Sequence, residues 1–398
     1  MTTTDDQLPL SGYTVVELGQ IVAGPITALT LADLGADVIK VESPDGGDRT
    51  RTAGPAGDAM FQTLNRNKRS ITLDLKSDGG RDIYHRLASD ADVVIENLAP
   101  GVAERLGIGY DDLREENPEL VYCSIKGFFD GPYGDRASMD VVAEAMSGFM
   151  QMTGTSDSGP VRAGTSIADI AAGMYAAVGI VTALLERERT GEGQKLTSTL
   201  FESMTNWMWY WSAYAQFQGR DPEPLGASHP AMPVYDVFES GDGEWTFIGV
   251  VSQPQFESLC GILDREAWLD DERFEDHATR LEHEATLVSL VAEAVAEWNR
   301  DELLEECYEA GIPAAPIKDP SDLVGDPQLR ASGLLTETER DNGGSFQALL
   351  TPIVGDRIAP SNRGGPPALG EDAATILAEL GYDEEEVTEL QASGALGD

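Results

Sequence analysis

The stretch from Tyr13 to Glu42, YTVVELGQIVAGPITALTLADLGADVIKVE, limits the possible folds most. Two β-rich runs, Tyr13–Leu18 and Asp37–Glu42, flank a segment of small and apolar residues. Pro25 marks the start of a helix in that segment and Gly35 its end, the positions that proline's fixed φ and glycine's freedom favour. Strand, helix and strand in this order form a β-α-β unit and predict a parallel sheet. The pattern then repeats. SITLDL (Ser70–Leu75) reads as a strand, Gly80–Ala88 as a helix, Asp92–Asn97 as a strand, Gly101–Leu106 as the start of a helix and Leu120–Phe128 as a further buried strand. The alternation predicts an α/β fold with an open, Rossmann-like parallel sheet. Its first turn has no GxGxxG to cradle a pyrophosphate, which argues against a nicotinamide cofactor.

Beyond this unit the texture changes twice. Residues 138–218 read as largely helical, broken by the Gly-rich TGTSDSGP. Residues 219–233 are rich in Pro and Gly and read as a connector. VYDVFESGDGEWTFIGVV reads as a hairpin with a Gly-rich acidic turn, and helical patterns cover 253–311. A second connector spans about 319–334, and an acidic amphipathic helix is expected over 371–392. The expected division is a large α/β domain, 1–222 and 325–398, interrupted by a small α+β domain, 228–320.

Charge excludes several function classes. With 27 basic against 70 acidic residues, the net charge of the 398-residue chain is −43. A nucleic-acid binder needs a basic face, and an anionic membrane surface repels such a chain. Hydrophobic residues make up 41%, enough for a core, so the acids read as a coat rather than as disorder. An acid-coated chain with six lysines (40, 68, 76, 126, 195 and 318) fits a salt-loving, haloarchaeal source, where concentrated ions relieve self-repulsion. Three widely spaced cysteines without CxxC suit a reducing cytoplasm, and the polar, acidic N-terminus does not read as a signal peptide. The apolar-aromatic segment Trp207–Phe217 is too short to span a bilayer.

Few residues suit chemistry. The four histidines lack zinc-protease spacing, since His283 opens HEATL and not HExxH, so no metal site is expected. His229 lies in a Pro-bounded loop, where it either lines a cleft or serves structure alone. No GxSxG is present. Scarce cations are more informative. Arg66, Lys68, Arg69, Lys76, Arg105 and Lys126 read as lying at or just after the C-terminal ends of strands, where open α/β sheets bind ligands. They either bind a phosphorylated nucleotide or pair with acids. Asp169, in RAGTSIADIAAG, opens a small-residue helix. It is either a first-turn acid that meets the helix dipole or a nucleophile with small neighbours.

Seven segments, taken in order, resemble the class III CoA-transferases of the CaiB/BaiF type. That family includes formyl-CoA:oxalate and carnitine CoA-transferases and the α-methylacyl-CoA racemases. The segments are VVELGQIVAGPITALTLADLGADVIKVESPDGGDRTR, LNRNKRSITLDLK, VIENLAPGVAERLGIGYDDL, SIKGFFDGPY, SIADIAAGMYAAVGIVTALLERERTGEGQKL, HPAMPVYDVF and AGIPAAPI. The resemblance implies that Asp169 is the catalytic nucleophile. It implies CoA contacts at Ile21, Val22 and Ala23 after the first strand, at Leu73 and Lys76 in LDLK, at Asn97, Leu98 and Ala99, and at Arg105 and Lys126. Two positions depart from the family pattern: Ala99 stands where the family commonly has arginine, and Ser43 or Pro44 where some relatives place one.

Racemase-type relatives carry GHD where this chain has Ser138-Met139-Asp140, so the imidazole that would move an α-proton is missing. The resemblance therefore implies transfer of CoA from an acyl-CoA such as succinyl-CoA to a short carboxylic acid, for example mesaconate, through an aspartyl-CoA thioester. Racemase-type chemistry and CoA transfer within one dicarboxylyl-CoA are the alternatives. CoA thioesters would be substrates with no permanently bound cofactor, and the protein a cytoplasmic, interlocked homodimer.

Overall fold

A computed structural model describes residues 8–397. Its centre is a six-stranded sheet: β1 (Thr14–Leu18), β2 (Asp37–Glu42), β3 (Lys68–Thr72), β4 (Val93–Glu96), β5 (Val121–Lys126) and β6 (Gln194–Thr199). Every neighbouring pair is parallel, and the order is β3-β2-β1-β4-β5-β6. Helices follow or separate the strands: α1 (Ala23–Asp33), α2 (Gly54–Leu64), α3 (Asp78–Asp90), α4 (Val102–Leu106), α5 (Tyr110–Leu113), α6 (Asp140–Met146), α7 (Phe149–Thr153), α8 (Ile167–Thr190) and α9 (Leu200–Gln218).

β1, β2, β4 and β5 are buried along almost their whole length, which is why they read as largely apolar runs. Val15, Val93 and Cys123 face one core with α1 and α8. Val16, Val94 and Tyr122 face the other with α3. Alanines set the first core. Ala168, Ala171, Ala172 and Ala176 of α8 are fully buried, so the two helices approach closely. At Gly173 a Cβ would stand 2.5 Å from Ile26 Cγ2 and 2.9 Å from the Ala23 carbonyl. Thr27 Oγ1 donates to both Ala23 O (2.8 Å) and Gly173 O (3.1 Å).

Several sequence expectations need correction. The 138–218 region is interrupted by β6, whose alternating LTST follows the tight turn Gly191–Gly193. β3 starts at Lys68, two residues before the expected strand, so Arg66, Lys68 and Arg69 lie before or within its first half rather than after its end. The expected tail helix is two, α15 (Ala373–Glu379) and α16 (Glu384–Ala392), separated by left-handed Gly381 (φ 86°). Trp207–Phe217 is not the strongest candidate span. Helix α8 is long and apolar enough to cross a membrane by length and composition, with half of its most apolar window buried in the fold.

The chain forms two compact units. The first takes the chain through Phe149, Ala163–Ala213 and everything from Pro327. Its last part contains α14 (Pro327–Ser332), the hairpin β10 (Leu335–Glu339) and β11 (Ser345–Leu349), α15 and α16. The returning chain is tied to the end of α1. Arg363 donates to Ala32 O (2.8 Å) and Ala36 O (2.7 Å), and Thr351 N donates to Asp33 (2.8 Å).

The second unit is Met150–Arg162 with Tyr214–Asp326. It contains an antiparallel sheet of β7 (Val234–Glu239), β8 (Trp245–Val250) and β9 (Ala314–Pro316). Helices α10 (Gln253–Ile262), α11 (His277–Glu282), α12 (Glu284–Val295) and α13 (Arg300–Glu309) accompany it. Val234, Phe238, Ile248, Phe256, Leu287 and Leu303 form its core. The Gly-rich loop before Arg162 belongs to this unit because its backbone bonds residues 225 and 226: Leu225 N to Met152 O and Gly226 N to Gly154 O, each 3.0 Å. Sequence texture placed that loop in the large domain.

Candidate active site

The strand order changes direction between β1 and β4, because one half of the chain winds outward through β2 and β3 and the other through β5 and β6. Open α/β sheets bind ligands outside the strand ends at such a switch point. Here the loops after β1 and β4 meet. Asn97 holds the Gln20 peptide from both sides: its Oδ1 accepts Gln20 N–H and its Nδ2 donates to Gln20 O, both at 2.9 Å. The loop doubles back so tightly that a Cβ on Gly24 would lie 2.6 Å from Gly19 Cα.

Beneath the loop lies a buried charge cluster. Lys40 donates to Gly19 O (2.7 Å) and pairs with Glu17 (3.3 Å) and Asp48 (3.1 Å). Lys68 pairs with the other Glu17 oxygen (2.8 Å) and donates to Pro25 O (3.1 Å). All of these side chains are fully buried. Burial opposes charge on Lys40, but Glu17, Asp48 and Glu42 outweigh it and raise its pKa. Lys68 is pulled down to about 8, chiefly by burial, with Glu17 opposing and Lys40 repelling. Such a cluster resists removal of one member, since the partner charge is left without compensation. Arg66 pairs with Asp33, and Arg69 with Asp37 and Glu379. Those cations are occupied by acids.

Asp169 lies in the first turn of α8, one turn before Gly173 and therefore within roughly 6 Å of rise of the contact with Ala23. Asp140, at the start of α6, accepts the N–H of Ala168 (2.8 Å) and reaches that of Asp169 (3.4 Å). Asp140 thus supplies an acceptor for the free N–H groups at the start of α8, where Asp169 is the first-turn acid. The Asp169 carboxyl is pushed up to about 7, first by burial and then by the nearby Asp140 charge. A first-turn acid should instead gain from the helix dipole. A half-buried carboxyl pushed up to about 7 marks a candidate functional group.

The other candidates divide by environment. Val22 and Ala23 are buried with their backbone at the start of α1, whereas Ile21 is exposed. Leu73 is buried after β3, and its N–H donates to Glu42 O (2.9 Å). Leu98 N–H donates to Glu96 (2.8 Å), and Ala99 is exposed. Lys126 Nζ is held by Glu96 (2.8 Å) and Leu98 O (2.7 Å). Lys76 and Arg105 are exposed and have no ion-pair partner among the described residues. Met139 is exposed, at the N-cap of α6. His229 lies in the second unit against Tyr235 (ring centroids 5.8 Å apart). Asp48 and Asp140 lie in stretches that match the family, but the sequence assigned a role to neither. Only the fold shows what they hold.

The candidate site is thus the switch point of a doubly wound α/β sheet, together with a carboxyl raised towards neutrality in the first turn of α8. Residues 10–373 match the model of CoA-transferase family III. The succinate–glutarate CoA-transferase of Agrobacterium fabrum is 38% identical over 383 residues, covering 94% of this chain and 96% of its own length. The succinyl-CoA:mesaconate CoA-transferase of Haloarcula hispanica is 35% identical, covering 94% and 96%. A crystal structure of a CaiB/BaiF family protein from Brucella suis superposes with a TM-score of 0.86 at 39% identity, covering 94% of this chain and all of that one. The chain belongs to the class III CoA-transferase family and is a CoA-transferase.

Proposed function

We propose that the protein transfers CoA from succinyl-CoA to a second short dicarboxylate with Asp169 as nucleophile. The observation that carries this is the Asp169 carboxyl, half-buried at the start of α8, with its pKa raised to about 7. A desolvated carboxylate attacks a thioester better than a hydrated one, and it still ionises at neutral pH. Asp169 attacks the succinyl carbonyl, giving a mixed anhydride and CoA thiolate. The thiolate attacks the aspartyl carbonyl, releasing succinate and leaving an aspartyl-CoA thioester. The acceptor carboxylate then attacks that thioester to give a new anhydride and thiolate. Attack of the thiolate on the acceptor's acyl carbonyl forms the product and regenerates Asp169. No net proton moves.

Relatives named for succinate with glutarate, and for succinyl-CoA with mesaconate or L-malate, support the dicarboxylate class. Lys76 and Arg105, exposed and unpaired, suit the nucleotide phosphates, with Ile21, Val22, Ala23, Leu73, Asn97, Leu98, Ala99 and Lys126 lining the same strand ends. Met139 offers no proton base, which disfavours a racemase.

The large α/β domain and the small α+β domain would work as a homodimer. An exposed stripe of α8, Tyr175, Val178, Val181 and Leu185, supports this. Tyr175 donates to Asn206 of α9 (2.8 Å), and Trp209 and Tyr210 of that helix are exposed as well. An exposed apolar stripe suits a protein–protein interface. The acid coat suits a halophilic cytoplasm.

The test is trapping. Succinyl-CoA followed by hydroxylamine should convert Asp169 to its hydroxamate, visible by peptide mass. Full transfer activity in Asp169→Ala, or no modification of its peptide, rejects the nucleophile.

A further inference from the structure

Ile21 is one of three non-glycine residues with positive φ in the described chain, at 68°. A β-branched side chain in the left-handed region is a strained outlier, and such strain persists only where surroundings over-determine it. The surroundings here are specific. Both Asp48 oxygens accept the Ile21 N–H, at 3.2 and 3.3 Å. Asp48 is 1% exposed. It is itself aimed by Lys40 (3.1 Å), by Thr50 N (3.0 Å) and by Thr50 Oγ1 (2.8 Å). Lys40 at the same time holds Gly19 O, and Asn97 holds both ends of the Gln20 peptide. Three consecutive residues of the loop are thus tied by buried or half-buried side chains. None of those ties uses the N–H groups of Val22, Ala23 or Gly24. These have no acceptor among the described residues and open α1 at the switch point.

We infer that Asp48 is a positioning residue for CoA binding: it clamps Ile21 in the left-handed conformation and so presets the β1–α1 loop for the ligand. This rests on the CoA site proposed above but not on Asp169. Without the clamp, Ile21 relaxes to an ordinary backbone region and only a fraction of molecules keep the binding loop. The apparent affinity falls by that fraction. Glycine reaches the left-handed region without penalty, so a loop with Ile21→Gly needs the clamp far less.

The experiment is a double-mutant cycle read by calorimetric binding of free CoA, with KM and kcat measured alongside. Asp48→Asn should weaken CoA binding about 10-fold in the Ile21 background and under about 3-fold in the Ile21→Gly background. The loss should appear in KM for the acyl-CoA more than in kcat. An equal loss in both backgrounds, or none, overturns the clamp, because a merely structural defect does not depend on residue 21. Should Asp48→Asn fail to fold, Thr50→Val removes the hydroxyl that aims Asp48. It should give the same coupling at about 3-fold, and no coupling overturns the inference. Wild type that binds no CoA defeats the site reading and this inference together. Wild type that binds CoA while Asp169→Ala stays active defeats only the nucleophile.

Discussion

Asp169→Asn should make the protein more stable at alkaline pH and no more stable in acid. The folded carboxyl titrates near 7 against an ordinary 3.8, raised by burial and then by Asp140. The folded state therefore holds the proton more tightly than the unfolded chain. That advantage is complete below the unfolded pKa and is lost as pH rises through about 4 to about 7. Each tenfold in proton affinity is worth ~1.4 kcal/mol, so the gap sets a ceiling of about 4 kcal/mol. Partial exposure and screening by salt reduce this to about 1–2 kcal/mol. The amide keeps the shape of the carboxyl and cannot ionise. Denaturant midpoints of wild type and variant, measured from about pH 4 to about pH 8, should coincide at the acid end and diverge in favour of the variant above neutrality. A difference that is flat with pH, or wild type becoming the more stable at the alkaline end, would refute the raised pKa. The same ionisation predicts that kcat/KM of the wild type falls as pH drops below about 7.

Three further outcomes are expected. Gly173→Ala puts a methyl against Ile26 and the Ala23 carbonyl, and should cost about 1–3 kcal/mol by overpacking, read as a lower denaturant midpoint with reduced kcat. Lys76→Ala and Arg105→Ala should each raise KM for the acyl-CoA several-fold, most at low salt, while stability stays within about 0.5 kcal/mol, as expected of exposed, unpaired cations. Removal of salt should lower both activity and stability because −43 charges then repel unscreened; equal stability in millimolar salt would count against a halophilic origin.

The parallel sheet was legible because the strands of a doubly wound fold are buried on both faces. β-branched runs between helices leave few other solutions, and β1, β2, β4 and β5 fell close to their expected places. β6 was missed because a six-residue strand between α8 and α9 is short beside two long helices, and its register is set by β5 rather than by its own pattern. The scarce cations were a mixed signal. Lys76 and Arg105 are free at the surface, whereas Arg66 and Lys68 are buried against Asp33 and Glu17. Sequence cannot separate these cases, because pairing partners 33 and 51 residues away become neighbours only in the folded sheet.

Motif order along the chain was enough to place it in its family, and that resemblance, not the residue type at position 169, singled out Asp169. Tertiary structure decided the rest. It put Asp140 rather than Asp169 on the first N–H groups of α8, and it brought Asp140 near enough to raise the Asp169 carboxyl. It also set Asp48 beneath the β1–α1 loop, where a carboxylate in a low-dielectric interior holds Ile21 in a strained backbone state. Electrostatic effects act through space and depend on burial, so residues distant in the chain acquire them only when the sheet closes around them.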